Sequence, residues 1–152
     1  MERARTAQGE LAEGASARSA WAWERVLDAE ARGEVALAGQ RLGALADAAE
    51  PWRQLADIQR CALGAACRPD RARSAFEALA ASSRPRDAAE ARYLWARYLR
   101  RSGDPGAALE QLDALAREIA FLRTRWPGVL GSWWWWRGAA VLDDYLWHYR
   151  PG

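Results

Sequence analysis

Three segments of this chain echo one another at a near-constant distance. Leu42-Gly43-Ala44-Leu45-Ala46, Phe76-Glu77-Ala78-Leu79-Ala80 and Leu112-Asp113-Ala114-Leu115-Ala116 are separated by 34 and then 36 residues. A large apolar residue, two positions of spacer and polar or small character, and a Leu-Ala pair thus return once per supersecondary unit. That period is the mark of a stacked helical repeat, in which each unit buries its apolar face only by packing on its neighbours. The constraint is severe. It calls for an all-α chain of short antiparallel helices and leaves little room for a sheet, and such arrays mostly present surface to partners.

Composition narrows the classes further. The chain has 152 residues, 51% of them apolar and 28% charged, which predicts one globular, soluble domain with a real core. No apolar run approaches bilayer length, and Met1 to Gln8 lack the apolar centre of a secretion signal, so the expected location is cytoplasmic. All 22 basic residues are arginine, and neither Lys nor Asn occurs. Twenty acidic residues are interleaved with them, for a net charge of +2. A strong field for nucleic acid is therefore not expected. On one continuous helix Cys61 and Cys67 would lie about 240° apart, a poor geometry for a disulfide or a shared metal. With His148 as the sole histidine, a zinc site lacks ligands, and the two cysteines read as small buried apolar residues.

Residues 1–15 read as a flexible or partly helical lead-in. The first helix is expected from Ser16 to Arg32, with Trp21, Trp23, Leu27 and Ala31 as its apolar spacing and Gly33 as its stop. A second, from Glu34 to about Ala49, carries Val35, Ala38, Leu42, Leu45 and Ala46 on one face. Pro51 opens a third, over 51–66, with Leu55, Ile58 and Ala62 inward, and Pro69 opens a fourth with Ala72, Ala75, Phe76 and Leu79 inward. Asp87 and Glu90 suggest a capping box for a fifth helix over 88–102, with Ala91, Leu94, Trp95, Tyr98 and Leu99 along one stripe. Asp104 should cap a sixth, with Pro105 at its first position and Ala108, Leu112, Leu115, Ile119 and Leu122 forming a long stripe to about Thr124.

The units resemble the tetratricopeptide repeat (TPR-like) family. That pattern has a Gly at the turn, a small residue five later and a large apolar residue four after that. Gly33, Ala38 and Leu42 match it, as do Gly103, Ala108 and Leu112. The second unit keeps Ala72 and Phe76 but has Arg68 or its neighbour where the turn Gly is expected. Pro51 and Pro85 stand where each unit should be followed by Pro, and Trp95, Ala96 and Leu99 match the first helix of the third unit. The resemblance implies three helix hairpins over 16–124 stacked as an α-solenoid, and partner binding in the groove lined by the first helix of each pair. Some members clamp a carboxylate with Lys and Asn. This chain has neither, and Arg92 or Arg97 would have to supply such an anion contact.

Trp133-Trp134-Trp135-Trp136 is the oddest run. On a helix it fans over about 300° and cannot all face one core. A C-terminal segment, 125–152, is therefore expected to contain a loop and a Trp-rich capping helix from Trp133 to about Tyr149. Trp135, Leu142 and Leu146 would close the array, while Trp133, Trp136 and Trp147 would face outward. Either the loop before this helix folds back over those rings, or they form a protein interface, since Trp anchors are enriched at binding hot spots. No phosphate-binding glycine loop, nucleophile elbow or carboxylate constellation is present, and Asp144 with His148 reads as a surface pair. The expected function is a non-catalytic protein–protein interaction module without cofactor or metal. It would act as an adaptor, or by self-association, through Tyr93, Arg97, Arg100 and Arg101 in the groove and through Trp133, Trp136 and Trp147. The alternative is a peripheral membrane, lipid or small-ligand domain that uses the Trp cluster.

Overall fold

A computed structural model describes residues 2–125, with side chains for 14–122, 124 and 125. Six α-helices follow one another with no strand among the described residues. They are α1 (Glu2–Ala31), α2 (Val35–Arg41), α3 (Trp52–Leu63), α4 (Pro69–Ala80), α5 (Pro85–Arg101) and α6 (Pro105–Arg125), with a 3₁₀ turn at Leu42–Leu45. The all-α class expected from the sequence is thus observed. The chain divides into two compact units, Met1–Ala56 and Asp57–Gly152, the boundary falling inside α3. The closing helix expected from Trp133, with Trp136 and Trp147, and the loop before it lie outside the described residues.

In the first unit α1 packs on α2 and on the 3₁₀ turn. Trp23, Val26 and Ala29 are buried on α1, and Ala38, Leu42 and Leu45 on the chain that returns. The inward stripe of α1 therefore has a different phase from the one expected, because Trp21 lies two residues, roughly 200°, from Trp23. Trp21 is 60% exposed, and the Arg25 guanidinium sits 4.7 Å from its ring centre. The second helix also ends sooner than its apolar spacing suggested. At Leu42 it tightens to three residues per turn, which sets Leu42 and Leu45 above one another and buries both. Val35, expected inward at the start of α2, is 47% exposed.

In the second unit α5 packs on both α4 and α6. It is correspondingly buried around most of its circumference: Ala88, Ala89, Ala91, Tyr93, Leu94, Trp95 and Ala96 are all inside. The stripe predicted for α6 holds at every position, with Ala108, Leu112, Leu115, Ile119 and Leu122 buried. Leu112, Leu115 and Ile119 are at most 1% exposed, and burying each is worth about 1.5–3 kcal/mol of transfer free energy. Ala89, Tyr93 and Ala96 of α5 complete that cluster. Arg92 ties the same two helices at their margin: its Nη1 donates to Gln111 Oε1 at 3.2 Å and its Nε lies 4.0 Å from Glu118.

Three helices stop in the same way. Gly33, Gly64 and Gly103 have φ of +75°, +75° and +92°, where a Cβ is strained. Each glycine N–H donates to the carbonyl three residues back (Glu30, Cys61, Arg100), and the next N–H donates five back (Ala29, Arg60, Leu99). This paired pattern, the Schellman motif, satisfies carbonyls that the helix end would leave open. The connection between α3 and α4 thus does contain a stop glycine. It is Gly64, eight residues before Ala72, whereas Gly33 and Gly103 stand five before Ala38 and Ala108.

That early stop corrects the reading of the cysteines. The helix expected over 51–66 ends at Leu63, and the reversal at Gly64 carries Cys67, which lies beyond the helix on either bound, back toward Cys61. Cys61 and Cys67 form a disulfide, with Cα atoms 5.1 Å apart. The helical angle of about 240° does not apply to a pair that brackets a helix stop.

The helix starts divide into two kinds. Asp104 caps α6 as expected, its Oδ1 accepting from the Ala107 N–H at 3.0 Å. Before α4 and α5, Arg68 and Arg84 are extended and give no side-chain cap. Pro69 and Pro85 impose that conformation on the residue before them and then occupy the first helical turn. Asp87 is consequently not the cap of α5. It lies in the first turn, with Oδ2 4.0 Å from Arg84.

Candidate functional site

The groove residues expected on α5 separate in the structure. Tyr93 is 6% exposed and belongs to the core shared by α5 and α6. The expectation of an open groove position there is corrected: α6 packs on that face of α5, and Tyr93 joins Ala89, Ala96 and Ala108 in one buried cluster. Arg97, one turn on, is half-buried, and its guanidinium lies 5.7 Å from the Tyr93 ring centre. Arg100 and Arg101 occupy the last turn of α5 and are exposed, where the negative end of the helix dipole favours cations. The three arginines therefore form a basic edge at the C-terminal end of α5, with Tyr93 as its support. The guanidinium of Arg101 fills the space into which a Cβ on Gly64 would project. Trp133, Trp136 and Trp147, the other predicted surface, lie outside the described residues.

Two groupings were not anticipated from the sequence. The first is an aromatic stack between α4 and α5. Phe76 and Trp95 lie face to face with ring centres 5.2 Å apart and planes 9° apart. The Tyr98 ring is tilted against the same indole, centres 5.0 Å apart, and Arg73 stands 6.0 Å from it. Trp95 is 6% exposed, so this stack chiefly holds α4 to α5. The second is a cleft of about 330 Å³ at the α3–α4 turn, lined by Asp57, Arg60, Ala66, Cys67, Arg68 and Arg71. Among the described residues its one carboxylate, on Asp57, lies 3.6 Å from Arg71, so three guanidinium groups there meet a single described opposing charge. The available sequence signal was Pro69. A proline at a first helical position means that the residues before it are turn, and that removes Cys67 from the preceding helix.

Other chemistry is sparse. Among the described residues no cluster of three or more His, Cys, Asp or Glu side chains is placed to hold a metal ion, and no helix is long and apolar enough to cross a membrane. Burial raises the Asp87 carboxyl above its ordinary 3.8, against the lowering influence of Arg84 and Arg86. This is the electrostatics of a helix start in contact with its own flanking arginines. No protein-family profile, curated protein or solved structure matches this chain.

Proposed function

We propose that this chain is a non-catalytic protein-interaction module, a TPR-like α-solenoid adaptor or scaffold of helix hairpins acting in the cytoplasm. The observation that carries the reading is the burial of equivalent positions. Ala38, Ala72 and Ala108 are each 0% exposed, and Leu45, Leu79 and Leu115 are each at most 4% exposed. A small residue is needed where two helices approach most closely, and a large one fills the space beside it. The packing of α5 on both its chain neighbours supports the same reading, since a repeat array buries a central helix on two sides.

The partner surface in this reading is the basic edge Arg97, Arg100 and Arg101, together with Trp133, Trp136 and Trp147. Arginine pairs well with carboxylates in a planar, two-pronged geometry, and indole rings supply the apolar anchor. The partner is an acidic protein segment or a second copy of the chain. Sedimentation velocity of the full chain over a concentration series provides the test. Self-association through the rings predicts a dimer that Trp136→Glu returns to monomer, and a charge component predicts weakening by Arg97→Glu with Arg100→Glu. A monomer at all concentrations that pellets with anionic vesicles would replace this reading with a membrane-surface one.

A further inference from the structure

We propose that the Cys61–Cys67 pair is a thiol–disulfide exchange site, entered through Cys67 from the arginine-lined cleft, whose partner is an anionic low-molecular-weight thiol. Three observations carry this beyond the interaction reading. First, the two sulfurs are unequally reachable. Cys61 is 2% exposed on the inner side of α3, whereas Cys67 is only partly buried and lines the cleft. An incoming sulfur therefore meets Cys67, and Cys61 becomes the resolving partner. Second, the cleft has the charge to attract an anionic thiol. Among the described residues Arg60, Arg68 and Arg71 line it against the one carboxylate of Asp57, and Asp70, in the first turn of α4, is not among the lining residues. The Arg101 guanidinium, which is not among the lining residues either, stands against Gly64, a residue of the loop that the disulfide closes. Third, the turn does not depend on the disulfide for its backbone bonds. The Gly64 and Ala65 N–H groups already donate to Cys61 and Arg60, so the dithiol chain keeps a hydrogen-bonded stop that holds the two residues near each other.

The exchange balances without a further reactant. The thiolate sulfur of one anionic thiol bonds to Cys67 Sγ as the Cys61–Cys67 bond breaks, and the electron pair leaves on Cys61, which takes a proton. A second thiolate attacks the small-molecule sulfur of the mixed disulfide and Cys67 leaves with the electron pair. Two thiols become one small-molecule disulfide, two electrons pass to the protein, and both cysteines end as thiols. In reverse, Cys67 attacks the small-molecule disulfide and Cys61 expels the bound sulfur. The mixed disulfide is short-lived, because Cys61 is held beside it. Disulfides are uncommon in a reducing cytosol, so in that compartment the site would cycle with the thiol pool.

The test follows reduction of the oxidised full chain by glutathione and by uncharged 2-mercaptoethanol, with acid quenching and mass spectrometry. After correction for thiolate fraction, glutathione should react faster. Its advantage should fall about tenfold in Arg60→Gln with Arg68→Gln and Arg71→Gln, the size of a typical steering effect, and should shrink with added salt. Circular dichroism checks that these surface variants stay folded. In Cys61→Ser, exchange with glutathione disulfide should leave a stable glutathione adduct on Cys67 and release one glutathione thiolate, and in Cys67→Ser the buried Cys61 should label at least about tenfold more slowly with the same reagent. An unchanged preference between the two thiols in the folded arginine variant overturns the proposal. So does equal labelling of the two cysteines, or a chain that never forms the bond under a glutathione redox buffer.

Discussion

The α3–α4 and α5–α6 connections begin alike and end differently. Both start with a glycine at positive φ and the same pair of backbone bonds. After Gly103, the Asp104 side chain immediately caps the next helix, and Ala108 reaches its buried site five residues on. After Gly64, the chain needs eight residues to reach Ala72, has no capping side chain at Arg68, and is closed by a disulfide. One connection is held by a local side-chain hydrogen bond. The other is held by a covalent link across a longer turn. Chain entropy explains the exchange: the three additional residues of the longer turn must be ordered without help from a cap, and a cross-link removes that freedom from the unfolded chain.

The largest effect that would sharpen this contrast is reduction. Closing a loop of this length is worth about 2 kcal/mol on the chain-entropy account. Dithiothreitol, or Cys67→Ser, should therefore lower the denaturation midpoint of the full chain by a corresponding amount. If reduction leaves the midpoint unmoved, the disulfide does not perform the work of the missing cap. Next come the glycines. Gly64→Ala and Gly103→Ala should each cost about 1–2 kcal/mol by forcing a Cβ into left-handed backbone. Gly64→Ala should cost at least as much as Gly103→Ala, by a small margin. At Gly64 the added atom meets only the far end of the Arg101 side chain, which can swing aside, and at Gly103 it meets nothing within 4 Å. A markedly larger loss at Gly64 would show that Arg101 is fixed in place.

The caps give a smaller separation. Asp104→Ala should destabilise by about 1 kcal/mol, while Arg68→Ala should change stability by no more than about 0.5 kcal/mol, because no side-chain cap is lost there. Equal urea midpoints for the two variants would remove the distinction between the connections. The smallest effect concerns the start of α5. The Asp87 carboxyl is raised by burial, so the folded chain binds its proton more readily than the unfolded chain does. Its contribution to stability is therefore most favourable below 3.8 and declines as pH rises through the raised value. Asp87→Asn should stabilise the chain at pH 7 by under about 1 kcal/mol, with solvent screening and the lost Arg84 pair reducing the gain. That advantage should fade as the pH is lowered to 3.8 and below, where the unfolded carboxyl protonates as well. Stability measured by urea titration at both pH values checks the sign.

Local chemistry was well marked in the chain. Asp104-Pro105 announced the start of α6, and the stripe from Ala108 to Leu122 announced its inner face, because a cap and a 3.6-residue period need only near neighbours. The glycine stops were marked at Gly33 and Gly103 for the same reason. The inner face of α1 was less legible. Trp21 and Trp23 are both large and apolar, and only the arrival of α2 and the 3₁₀ turn decided that Trp23 would be covered and Trp21 left under Arg25. Tyr93 was misplaced on a groove for a related reason: the repeat resemblance put it on a groove-lining helix, and nothing local to that helix said that α6 would cover this face.

By itself, then, the sequence determined an all-α chain, most of its helix limits and the inner face of α6, since these follow from bonds and periods spanning a few residues. Only the tertiary structure decided which aromatic rings are covered, that Phe76 stacks on Trp95, and that Cys61 meets Cys67 beside three arginines. Those outcomes depend on where the chain reverses and on which helix arrives opposite, and a shift of three residues in one glycine was enough to bring two sulfurs from opposite sides of an imagined helix into a single bond.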